Sequence, residues 1–222
     1  MILKILHFEN LEKEKKGMKL HITYNFSDMA QAIKIAGQTA EFADILGVGS
    51  LLLLKEGVKA VKTFKASFPN KEIFVEAKIC EKGDESITML AQAGANYISI
   101  LAGAYHNTIK KAINAAKNYD VKIALDLLDA PSIGQSAMDA KTLGAHMLIL
   151  HRPASEDELA ELESEWENVR ENTNLPIFIT GKINQENIST LLDLRPQGIM
   201  IGAAITKADS PAKSAHYFKS LM

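Results

Sequence analysis

The chain has 222 residues, with 25 basic against 27 acidic side chains and a formal net charge of −2, a balance that gives neither nucleic acid nor a membrane surface an electrostatic reason to bind. Its length suits one domain with a sizeable core. No run of about 18 or more apolar residues occurs, so no membrane span is expected, and the single cysteine, Cys80, excludes an internal disulfide and fits a reducing cytoplasm.

Taken in order, residues 1–8 are too short and too broken by Lys4 to read as a secretory signal. Residues 9–17 form a charge-rich linker. We therefore read 1–17 as an N-terminal extension and 18–222 as a single domain. From Met18 onward, short apolar runs of β type alternate with longer runs whose apolar residues recur every three or four positions. Strands are expected over 19–24, 43–48, 72–77, 97–101, 122–126, 146–151, 177–180 and 198–201. Helices are expected over 28–39, 57–67, 84–93, 105–118, 132–143, 156–172, 185–193 and 211–221. Asp28 and Ser132 suit helix starts, and Gly94 and Gly144 lie just past helix ends. Eight such units, spaced about 22–30 residues apart, indicate an α/β fold, a closed (β/α)8 barrel. No Gly-x-Gly-x-x-Gly follows the first strand, which argues against a dinucleotide fold.

Barrel chemistry collects at the C-terminal ends of the strands. Those ends carry Asn25, Gly47, the trio Glu76, Lys78 and Glu81, then Asp126, the pair His151 and Arg152, Gly181-Lys182 and Gly202-Ala203. Glu76 and Lys78 stand at i and i+2 and so share one face of their strand. Each residue also has a plain reading: a surface ion pair for Glu76 and Lys78, a helix cap for Asp126, a satisfied core histidine for His151 and a solvated loop for Arg152. Cys80 is expected to be buried and inert. The glycines after strands seven and eight let backbone amides approach an anion, so Gly181, Lys182, Gly202 and Ala203 are candidates for holding a substrate phosphate.

Glu76-x-Lys78-x-x-Glu81 resembles the Asp-x-Lys-x-x-Asp signature of the orotidine 5′-monophosphate decarboxylase suprafamily. Within it, 3-hexulose-6-phosphate synthase is most similar, and 3-keto-L-gulonate-6-phosphate decarboxylase is its sibling. Met18-Lys19-Leu20, Ala93-Gly94-Ala95-Asn96-Tyr97 and Ala203-Ala204-Ile205-Thr206 carry the likeness through the chain. The resemblance implies a homodimeric lyase of phosphorylated sugars that forms an enediolate of ribulose 5-phosphate. It also implies a Mg²⁺ ion, with Glu76 as ligand, and catalytic work by Lys78, Glu81, Asp126, His151, Arg152 and Asn25. Five positions depart from the pattern: Asn25 and Gly47 replace acids, Glu76 and Glu81 replace aspartates, and Lys182 replaces a glycine. Changed chemistry on the same scaffold, a decarboxylase or isomerase, is the first alternative. A non-catalytic sugar-phosphate-binding barrel is the second.

Overall fold

A computed structural model describes residues 17–151 and 158–222, the side chains of 158–160 excepted; the expected extension thus lies almost wholly outside the described residues. Eight parallel strands close into a barrel in sequence order, with the last pairing to the first. They are β1 (Lys19–Tyr24), β2 (Ile45–Val48), β3 (Glu72–Ile79), β4 (Tyr97–Leu101), β5 (Lys122–Asp126), β6 (Met147–His151), β7 (Ile177–Thr180) and β8 (Gly198–Ile201). Between them run α1 (Met29–Thr39), α2 (Ser50–Glu56), α3 (Val58–Ser67), α4 (Gly83–Gln92), α5 (His106–Lys117), α6 (Ile133–Leu143), α7 (Glu158–Asn172), α8 (Ile188–Asp193), α9 (Ala203–Thr206) and α10 (Pro211–Ser220).

Strand alternation sorts the side chains into two cores. On β1, Leu20, Ile22 and Tyr24 face outward into the layer beneath the helices, whereas His21 turns inward, its ring 4.9 Å from that of Phe74. The barrel interior is filled by Ile45, Phe74, Tyr97, Ala124, Met147, Ile149, Phe178 and Met200. On the helices, α5 shows the expected stripe, burying Ile109, Ala112, Ile113 and Ala116 against the sheet. Asp28 and Ser132 cap as expected, accepting from the amides of Ala30 at 2.9 Å and Gln135 at 3.4 Å.

Three differences from expectation bear on the rim. The apolar run after Gly49 forms α2, which the spacing hides because Leu51, Leu52, Leu53 and Leu54 are consecutive. Gly57, at φ +61, separates it from α3. The second is α9, a single turn straight after β8. The third is that β3 runs to Ile79, two residues further than expected. Cys80, just beyond it, is exposed rather than buried, because the chain there has left the sheet for the loop before α4.

Candidate active site

The site is built around the end of β3. Val75 pairs with Ile98 of β4, but Ile79 pairs with Ile100, so β3 carries two more residues than its neighbour over the same span. The surplus bulges out of the ladder. Lys78 takes a left-handed backbone, φ +45, and its N–H donates to Ser99 Oγ at 3.0 Å. This irregular turn is costly for a residue with a β-carbon. It directs the Lys78 side chain to β5, where Nζ lies 2.6 Å from Asp126 Oδ2.

Asp126 is the hinge of the cluster. It is buried, and its second oxygen, Oδ1, lies 2.7 Å from His151 Nε2 on β6 and accepts from the Leu128 amide at 3.0 Å. Burial alone would push its carboxyl upward, but the contact with His151 and the charge of Lys78 outweigh it and hold the group below the usual range. An ionised Asp126 can only accept, so with a neutral ring it fixes the His151 proton on Nε2 and leaves Nδ1 free to take one. Three side chains from three strand ends thus form one unit: a cation, an anion and a proton carrier. A cavity of about 290 Å³ opens beside Lys78, towards Tyr105 and Asp129 on the loops after β4 and β5.

Glu76 faces the same interior, as its spacing from Lys78 predicts, but reaches the opposite wall. Its Oε1 accepts from Thr23 Oγ1 on β1 at 2.6 Å and lies 3.8 Å from His21 Nε2. Burial lifts its carboxyl above the usual range, against the opposing pull of Thr23 and Lys78. His21 is fully buried, neither ring nitrogen has a hydrogen-bond partner among the described residues, and its pKa falls to about 3 through burial. Its ring occupies the space a side chain at position 47 would need, since a Cβ built on Gly47 would meet His21 Nε2 at 2.1 Å. Gly47→Ala should therefore lower stability by about 2–3 kcal/mol. Combined with His21→Ala it should lose most of that penalty, a double-mutant cycle in urea giving a coupling of at least about 1 kcal/mol.

The other expected residues lie apart from this cluster. Asn25 is exposed and its Oδ1 accepts from the Leu51 amide at 2.8 Å, holding the start of α2. Glu81 is exposed beyond the end of β3. Arg152 lies outside the described residues. Gly181 and Lys182 both take left-handed backbone, φ +101 and +44, which turns the chain sharply after β7. Gly202 and the exposed Ala203 open α9, whose first amides have no partners within the helix. For Mg²⁺, expected with Glu76 as ligand, no three or more His, Cys, Asp or Glu side chains are grouped to hold a metal ion among the described residues. Sequence reasoning missed His21, Thr23 and Ser99. The first two were legible as inward polar positions on β1, at i and i+2; Ser99 carries no signal without the bulge it satisfies.

The model of the orotidine 5′-phosphate decarboxylase / HUMPS family matches residues 18–218. The chain belongs to that family. Among curated proteins, the 3-hexulose-6-phosphate synthase of Bacillus subtilis (strain 168) is 27% identical over 209 residues, covering 92% of this chain and 99% of the synthase. Among solved structures, the 3-hexulose-6-phosphate synthase of Salmonella typhimurium superposes with a TM-score of 0.84 at 26% identity, over 92% of this chain and 98% of the other. The fold is shared with 3-keto-L-gulonate-6-phosphate decarboxylase of Vibrio cholerae, TM-score 0.80 at 22% identity, over 92% and 97%. These relatives are enzymes, and the synthases among them support a lyase-like function for this family member.

Proposed function

We propose that this chain is a lyase of the 3-hexulose-6-phosphate synthase kind, acting on ribulose 5-phosphate or a closely similar ketose phosphate through an enediolate. The observation that carries the reading is the unit Lys78–Asp126–His151, bonded at 2.6 and 2.7 Å through a buried carboxylate. In this reading His151 takes a proton from C1 of the ketose phosphate. The electron pair forms the C1–C2 double bond, and the charge that gathers on the C2 oxygen is met by the Lys78 ammonium. C1 then attacks the carbonyl carbon of formaldehyde, and the new alkoxide recovers the proton from His151. Asp126 positions both partners without leaving its place. The backbone of Gly181, Lys182, Gly202 and Ala203 takes the phosphate.

The chain acts as a homodimer in this reading. Leu54 on α2 and Tyr105 after β4, each 85% exposed, offer apolar area to a second copy, and the exposed Glu81 is available to the neighbouring site. No described helix is long and apolar enough to cross a membrane, and we assign the protein to the cytoplasm.

The crowding of position 47 by His21 favours a second reading, in which the same enediolate is protonated instead of adding to an aldehyde, as in an isomerase or decarboxylase. Incubation with ribulose 5-phosphate in D₂O separates them. Consumption of formaldehyde with formation of a six-carbon phosphate supports the aldol reading. Deuterium entering the sugar while formaldehyde is untouched moves the assignment to altered chemistry. Neither exchange nor consumption would overturn both and leave a sugar-phosphate-binding barrel.

A further inference from the structure

We propose that this barrel works without a divalent cation, the seat of the ion having been replaced by a floor of His21, Thr23 and Glu76. The inference rests on the enediolate reading above, and it concerns what stabilises that charge. A divalent cation here would supply charge to the developing enediolate, and Mg²⁺ would need at least one or two carboxylates to hold it beside water and substrate.

Within one subunit the carboxylates are few and already engaged. Position 47 has no side chain, and the space one would fill holds the His21 ring, whose Nε2 would stand 2.1 Å from a Cβ at that position. The ring cannot readily swing away, since it is fully buried and lies 4.9 Å from that of Phe74. Both oxygens of Asp126 already hold cationic or N–H partners, Oδ2 facing Lys78 and Oδ1 facing His151 and the Leu128 amide, and the Lys78 ammonium beside them repels a second cation. That leaves Glu76, and its Oε1 already accepts from Thr23 at 2.6 Å. A neutral imidazole brings no charge to offset the ion, and a hard cation prefers oxygen.

The three floor residues fit together. In the ladder, Thr23 of β1 pairs with Gly47 of β2, and Gly47 pairs with Phe74 of β3, two residues before Glu76. Removing the side chain at 47 makes room for His21, and the hydroxyl of Thr23 meets Glu76, whose extra methylene relative to aspartate lengthens its reach across the wall. The positive charge offered to the substrate then comes from Lys78, held by Asp126 at the far side of the mouth.

The test is a Mn²⁺ titration of the EDTA-treated, exchanged full chain, followed by the electron paramagnetic resonance of the free ion. Calorimetry of ribulose 5-phosphate in EDTA and in Mg²⁺ accompanies it. The wild type should leave the free Mn²⁺ signal unchanged, and ribulose 5-phosphate should bind within about twofold of the same Kd in both buffers. The double variant His21→Ala/Gly47→Glu, which restores a carboxylate and the space for it, should take up Mn²⁺. Stoichiometric uptake by the wild type that is abolished by Glu76→Gln would overturn the proposal. So would tenfold tighter sugar-phosphate binding in Mg²⁺, and a double variant no better than wild type would overturn the role given to position 47. Failure of ribulose 5-phosphate to bind in either buffer strikes the function reading instead, since the Mn²⁺ titration decides the question of the ion by itself.

Discussion

On the proposed lyase reading, Lys78→Ala should lower kcat for the ribulose 5-phosphate reaction by on the order of 100- to 1000-fold, with a much smaller change in KM. The size follows from losing one preorganised charge beside the developing oxyanion. The KM change should be small because the proposed function gives the phosphate to the loops after β7 and β8, away from Lys78. The fold survives, because Asp126 keeps His151 and the Leu128 amide as partners. A stability loss of about 1–3 kcal/mol is expected, the lysine being partly solvated. Lys78→Arg should not restore the rate, since a planar guanidinium cannot reproduce a point charge 2.6 Å from Asp126 Oδ2. Steady-state kinetics of the two variants, beside their urea midpoints, would check this. A Lys78→Ala enzyme with parental kcat would remove Lys78 from the chemistry.

The second large effect is on stability in acid. His21 titrates near its usual 6.5 in the unfolded chain and near 3 in the buried site. Its folded pKa is the lower one, so its contribution is fully present above about pH 6.5 and is lost as pH falls towards 3. Over that window the loss is on the order of 4 kcal/mol. Glu76 acts in the opposite sense, because a folded pKa raised above its ordinary 4.5 favours the folded state as pH falls. Asp126, held low, gives up its contribution only below the ordinary carboxylate range. Comparing wild type with His21→Leu isolates the histidine: urea midpoints should converge or favour the variant at pH 4 relative to pH 7. Parallel curves across that range would mean that His21 does not remain buried and neutral.

The barrel was legible because its signals are periodic and local. Lys19–Tyr24, Tyr97–Leu101, Lys122–Asp126, Ile177–Thr180 and Gly198–Ile201 begin and end where the alternation says they should. Half of the site was legible for the same reason: Lys78, Asp126 and His151 stand at strand ends, and closure of the sheet brings strand ends together. What the pattern could not carry is register and crowding. The surplus residues between Val75 and Ile79 are a relation between two strands, invisible in either alone. Asn25 stands at a strand end like the others, yet the Leu51 amide claims its side chain. In sequence Gly47 has the look of a lost ligand; only its three-dimensional neighbour shows that the vacated space is filled.

That filling also fixes the order in which the protein can change. Any side chain at position 47 collides with the imidazole from β1, so a library that varies position 47 alone should favour glycine on stability, whatever activity is selected. At position 21 a smaller residue meets no such collision. A smaller residue there opens the way for a second step at 47. The two positions therefore form a one-way gate in sequence space, and a search for variants that carry a side chain at 47 has to begin at 21.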